Sequence, residues 1–205
     1  MVEVDSLLRW TEWVPLNDRS RFNAVIPAAP GLYRVRRIGR DDLDYIGQTG
    51  MGAMNLRKRL GMLRGLYAEE MPYRDPHTAA PALWALRHAT GCDFEISVVP
   101  VEGSTPWRKG LEALAIGLYR QEHGRSPTIE FGRMPPGYRP SSPNNQKLAA
   151  RGLVARGGVW PEPLEAHASG LPPMGPLADD PAGPTWGGHA WSGWAPLTPE
   201  VARNR

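Results

Sequence analysis

Residues 31–48 read Gly31-Leu32-Tyr33-Arg34-Val35-Arg36-Arg37-Ile38-Gly39-Arg40-Asp41-Asp42-Leu43-Asp44-Tyr45-Ile46-Gly47-Gln48. Two apolar-rich runs flank the turn-forming stretch Gly39-Arg40-Asp41-Asp42, which predicts a β-hairpin. Each strand offers one tyrosine, within Gly31-Leu32-Tyr33 and Tyr45-Ile46-Gly47. Side chains alternate faces along a strand, so the pairing register decides whether the two phenols meet. A two-residue turn at Arg40-Asp41 pairs Tyr33 with Gln48 and sets the tyrosines on opposite faces. A three- or five-residue turn pairs Val35 with Tyr45 and sets them on one face. A site that uses both tyrosines therefore requires a turn of odd length or a bulge.

A helix is expected directly after the hairpin, over residues 53–66. Met54, Leu56, Leu60 and Leu63 form its apolar side, and Arg57, Lys58, Arg59 and Arg64 its polar positions. A second helix is expected over 79–90, and Phe94, Ile96 and Val98 alternate with polar residues as in a strand. Ser104-Thr105-Pro106 opens a longer helix to about His123, with Thr105 as N-cap and Pro106 at the first helical position. Leu111, Leu114, Ala115 and Leu118 have the spacing of a core-facing stripe, with Glu112 at its margin beside Ile116 and Tyr119. Residues 1–28 read as an N-terminal arm in which Leu7, Leu8, Trp10 and Trp13 form a short amphipathic turn or helix. The fold expected is α+β: a small antiparallel three-stranded sheet flanked by helices. Residues 29–135 form the domain, and 136–205 an irregular extension.

The 205 residues suffice for one domain with a core and extensions. No apolar run is long enough to span a membrane, and the acidic N-terminus does not read as a secretory signal. The single cysteine, Cys92, excludes an internal disulfide framework and a cysteine zinc site. It is expected to be buried and inert, and the location cytoplasmic. Residues 1–150 hold 20 basic against 16 acidic side chains, while 151–205 hold 4 against 5. Of the 24 basic residues 21 are arginine, whose planar fork suits phosphate. Such a charge balance permits nucleic-acid binding without establishing it. His77, His88, His123, His167 and His189 lack metal-ligand spacing and are expected in surface or core roles.

The paired tripeptides, the basic helix, the strand and the glutamate helix follow in the order found in the GIY-YIG nuclease superfamily, which residues 29–131 resemble. The resemblance implies a metal-dependent endonuclease that hydrolyses phosphodiester bonds of nucleic acid, with double-stranded DNA the first expectation, in restriction, repair or mobile-element biology. It implies that Tyr33 is the general base and that Tyr45 orients water or phosphate. Arg59, with Arg57 as the alternative, would neutralise the phosphate, and Glu112 would hold Mg2+ or Mn2+. Restriction-type relatives often pair two active sites, so a homodimer is one expectation. The chain departs from the family pattern at Leu63, where His or Tyr is common, with Tyr67 a substitute one turn on. It departs again at Gln48, where lysine is common, and at Glu130, which stands where the family has asparagine. Glu130 would add a metal ligand, remain structural or impair turnover.

Further contacts to nucleic acid are expected from Arg57, Lys58 and Arg64. Arg133 and Arg139 sit in a Pro/Gly loop over 132–139 that either tracks the substrate or packs on the core. Two other readings stay open. One is a catalytically degenerate family member that binds without cutting. The other is a protein-interaction module that uses the C-terminal stretch, where Trp186, Trp191 and Trp194 lie among 8 Gly and 9 Pro between residues 157 and 199.

Overall fold

The computed structural model describes residues 8–141 and 146–160, together with the backbone of 185–186 and 189–190. Strand β1 (Val14–Pro15) is followed by helix α1 (Arg19–Val25), then by the hairpin strands β2 (Gly31–Arg37) and β3 (Leu43–Gln48). Helix α2 (Leu56–Leu63) runs into a 3-10 turn at Arg64–Tyr67. Helix α3 (Ala80–Thr90), strand β4 (Phe94–Pro100), helix α4 (Thr105–His123) and a 3-10 turn at Glu130–Gly132 complete the part that carries the site. Beyond it, β5 (Tyr138–Arg139) pairs with β6 (Gly158–Val159), with helix α5 (Gln146–Ala150) between them. A last hairpin joins β7 (Thr185–Trp186) to β8 (His189–Ala190). The side chains of Trp186, Trp191 and Trp194 lie outside the described residues.

The chain is α+β, as expected, but the sheet has four antiparallel strands rather than three, in the order β1-β4-β2-β3. The added strand comes from the N-terminal arm. Residues 8–13 are not helical; the Thr11 amide donates to Val98 O at 2.8 Å, and Val14 pairs with Ile96. The period of Leu8, Trp10 and Trp13 misled because the arm is held by hydrogen bonds to β4 rather than by its own turn. Val14, Leu16 and Ile26 are fully buried, so this segment helps to build the core.

β2 is central, paired with β4 on one side and β3 on the other, and two apolar layers lie across the sheet. Tyr33 and Val35 face a layer filled by Leu56, Leu60 and Leu63 of α2 and by α3. Leu32 and Ile46 face the other layer, covered by Leu111, Ala115, Ile116 and Tyr119 of α4. On α4, Ser104 is the N-cap and accepts from the Trp107 amide, one residue earlier than expected. The buried stripe of α4 is also rotated from expectation. Leu114 is 40% exposed, whereas Ile116 and Tyr119 are buried, which turns Glu112 inward. Cys92 is half-buried and burial raises its thiol pKa. Among the described residues, no helix is long and apolar enough to cross a membrane.

Candidate active site

The hairpin register places the two tyrosines together. Tyr33 pairs with Gly47 and Val35 with Tyr45, so both phenols stand on the same sheet face. The bulge required by the sequence argument is present: Arg36 pairs with Leu43, which leaves Asp44 as the extra residue on β3. Asp44 is fully buried and is held by Arg37, whose Nη2 lies 3.0 Å from its carboxylate. The bulge lets Leu43 face the α4 layer while Tyr45 faces the other side.

Both glycines of the tripeptides are sterically required. A Cβ on Gly47 would lie 2.6 Å from Tyr33 Oη and 2.6 Å from Tyr45 Cε1. A Cβ on Gly31 would lie 2.2 Å from Val99 O and 2.9 Å from Leu56 Cδ1. Gly47 thus leaves the space that the Tyr33 side chain occupies, and Gly31 lets β2 approach both β4 and α2. The two rings pack with centroids 6.0 Å apart.

Tyr33 is fully buried, and its Oη is the hub of the site. It lies 2.9 Å from His77 Nε2 and accepts a hydrogen bond from Arg59. His77, in the loop before α3, is fully buried. Its Nδ1 accepts from the Ala79 amide at 3.2 Å, which fixes the tautomer: the neutral ring carries its proton on Nε2 and donates it to Tyr33. Burial, and then the Arg59 charge, hold the His77 pKa well below the ordinary value, so the ring is neutral. Burial pushes the Tyr33 phenol up to about 12, against the opposing pull of Arg59. Tyr45 is raised well above its ordinary value, again by burial, and its hydroxyl is hydrogen-bonded to Thr78.

The pitch of α2 sends Arg57 and Arg59 to different neighbours. Arg59 turns toward Tyr33, and its Nη1 donates to Pro76 O at 2.6 Å. Arg57 points the other way and caps α1: its Nε and Nη2 donate to Ile26 O at 3.0 and 2.9 Å, and Nη2 reaches Asn23 O at 3.2 Å. Arg64 donates to Asn17 O and packs over Phe22, while Lys58 is exposed.

Two carboxylates border the phenols. Burial lifts Glu112 to about 7, against the charges of Lys109 and Arg59 and a hydrogen bond from the Gln48 backbone. Glu130 is 6% exposed, and its Oε2 accepts from the Ile46 amide at 3.0 Å. Burial lifts it to about 8, and the neighbouring Glu112 adds to the rise. Both carboxylates act on the charge of Tyr33 and of Tyr45, so the four groups share one locality.

Other expected residues fall outside this cluster. Tyr67 hydrogen-bonds Asp93 and lies under Arg87, rather than contacting Tyr33 as His77 does. Leu63 is fully buried in the core. Arg133 is 5% exposed, beside Glu130 and Phe131, and Arg139 stacks on Trp160. Tyr138 is buried against Trp84 and His88.

His77, expected in a surface or core role, is buried, and its contact with Tyr33 was not foreseen from the sequence. It occurs in an aperiodic loop, and only the following Thr78-Ala79-Ala80-Pro81 helix start marked its neighbourhood. Among the described residues, no group of three or more His, Cys, Asp and Glu side chains is poised for a metal. The donor set nonetheless suits a hard, partly hydrated cation, which needs only one or two carboxylates from the protein. Glu112, a half-buried carboxylate raised by desolvation, is the group such a cation would ionise. No family model, no curated protein and no solved structure matches this chain.

Proposed function

We propose that this chain is a GIY-YIG-type endonuclease that hydrolyses phosphodiester bonds of DNA with a divalent cation. The observation that carries the reading is the convergence of Tyr33, Tyr45, Arg59 and Glu112 on one locality, drawn from two strands and two helices. Tyr33 takes a proton from the attacking water as the new P–O bond forms and the leaving oxygen departs. His77 Nε2–H and Arg59 both donate to Tyr33 Oη and so favour its phenolate. Arg59 also neutralises charge that develops on the phosphate. Tyr45, held by Thr78, orients the water or the phosphate. Glu112 would hold Mg2+ or Mn2+, with Glu130 as the adjoining carboxylate. When bound, the cation supplies Lewis acidity at the phosphate and stabilises the leaving oxygen.

The test is supercoiled plasmid incubated with Mg2+ or Mn2+ and with chelator. Metal-dependent nicking or linearisation is expected, lost in Glu112→Ala and reduced at least ~100-fold in Tyr33→Phe. Normal cleavage by Tyr33→Phe would remove the base assignment. A carboxylate near 7 ionises as pH passes through neutrality, and the ionised fraction of a phenol near 12 grows with every further unit of pH. The cleavage rate is therefore expected to climb from pH 6 to pH 9, and a rate that falls over this range would contradict the phenolate mechanism.

A second reading, binding without turnover, is favoured by the depth of Tyr33 and by the carboxylate of Glu130 where the family has an amide. Retention of DNA in a mobility shift, with no cleavage under any metal, would support it.

A further inference from the structure

Residues 68–79 connect the 3-10 turn at Arg64–Tyr67 to α3 with no helix or strand of their own, and ordered connections of this length are ordinarily functional. Two buried side chains anchor the connection: Met71, 2% exposed, and His77, fully buried. Between them Pro72, Tyr73 and Arg74 are half-buried, and Asp75 and Pro76 are exposed. This short span borders the candidate site at two points. Pro76 O accepts from Arg59 Nη1 at 2.6 Å. Arg74 Nη2 lies 3.4 Å from where a Cβ on Gly132 would stand, in the turn that begins at Glu130.

The span is also gripped by a segment outside the part that carries the site. Arg156, just before β6, donates through Nη1 to Tyr73 Oη at 2.9 Å and stacks over the Tyr73 ring at 4.4 Å. Its Nη2 pairs with Glu70 at 3.1 Å. Gly157 leaves room for Met71, since a Cβ there would lie 2.7 Å from Met71 Sδ. Arg156 and Glu70 are exposed, and ion pairs between exposed groups hold weakly. The span is thus pinned at two buried ends and fastened between them by bonds that water can replace.

In this state the proposed centre is closed. Tyr33 is fully buried, so its hydroxyl is shut off from solvent water. Arg59 gives Nη1 to a carbonyl oxygen, the donor it would turn to a phosphate oxygen. A charged phosphate bonds a guanidinium roughly twice as strongly as a neutral carbonyl does, so a phosphodiester can displace Pro76 O once the span yields. We propose that residues 72–76 are an autoinhibitory lid latched by Arg156, in which Pro76 O holds the place of a phosphate oxygen on Arg59 until the lid lifts. His77, held by the Ala79 amide, stays on Tyr33 as the lid pivots beside it. The inference rests on the nuclease reading and adds its regulation.

The test uses full-length protein with the latch removed, as Arg156→Ala and, separately, as Tyr73→Ala. Hydrogen exchange of the free protein reports the lid: the amides of residues 73–75 are expected to exchange about tenfold faster in both variants. Fluorescence anisotropy with a labelled DNA duplex reports binding in a Glu112→Gln background, and plasmid nicking with Mg2+ reports turnover without that substitution. Both latch variants are expected to bind about tenfold tighter than the parent and to nick faster. Arg156→Ala also removes a cation, which by itself weakens binding to DNA, so a gain cannot come from charge. Circular dichroism melts check that both variants keep the fold. Unchanged exchange in both variants overturns the latch, and faster exchange with unchanged or weaker binding overturns the autoinhibition. Nicking by the parent that neither variant increases removes the lid and leaves the nuclease. Variants that nick where the parent does not support both. Absence of binding and nicking in every protein removes the nuclease, and the role of the lid with it.

Discussion

At position 47 the smallest side chain is set by the largest ring beside it. A methyl group there would sit 2.6 Å from Oη of Tyr33, which is fully buried, and 2.6 Å from the edge of the half-buried Tyr45, so one of the rings must shift. Gly47→Ala is therefore expected to destabilise by about 1–3 kcal/mol or more, measured by denaturant unfolding, and to reduce cleavage through displacement of Tyr33. Unchanged stability would mean that the rings move freely. The tyrosines and glycines were legible in the sequence because each has a local steric or chemical reason to be where it is. His77 was not, since nothing in its own loop shows that Tyr33 stands across from it. Glu130 was singled out as a departure from the family pattern, but its bond to Ile46 depends on a fold contact between residues 84 positions apart.

At the scale of elements, α2 separates the two arginines that the resemblance offered for the phosphate, Arg59 first and Arg57 as the alternative. Both occupy polar helix positions, and sequence alone left either as the phosphate ligand. The two-residue step between them turns one toward Tyr33 and the other toward the end of α1. Arg57→Ala is expected to cost about 1–3 kcal/mol of stability through the lost bonds to Asn23 and Ile26, with cleavage intact. Arg59→Ala is expected to abolish cleavage with a smaller change in stability. Melting curves and plasmid nicking on both variants check this, and an exchanged pattern would reassign the roles. The hairpin, α3, β4 and α4 were legible from periodicity. The β1 strand was not, because two residues are too short to carry a period. The face of α4 was misjudged because Leu114 has the right spacing but stands on the solvent side, while Ile116 and Tyr119 pack on the sheet.

At the scale of the molecule, the buried carboxylates couple the site to stability. Glu112 and Glu130 bind their protons more tightly folded than unfolded, so folding takes up protons between their ordinary range near 4.5 and the folded values near 7 and 8. Their contribution is greatest below about pH 4.5 and is lost as pH rises toward 8. Glu130→Gln keeps an acceptor for the Ile46 amide but removes the charge. It is expected to raise stability at pH 8 by on the order of a few kcal/mol, and far less at pH 5. Thermal melts at the two pH values decide this; an equal gain at both would show that Glu130 is not strained by ionisation. The sheet order has another consequence, for a chain still on the ribosome. Strand β1 pairs with β4 through Val14 with Ile96 and Pro15 with Glu95, so this segment, made before the rest of the sheet, waits for residue 96 before it can dock. Tyr33, Tyr45 and Arg59 emerge early as well, yet the carboxylates stand at 112 and 130. A nascent chain thus carries the tyrosines and the arginine of the proposed site well before its carboxylates, which arrive only when the sheet is already able to close.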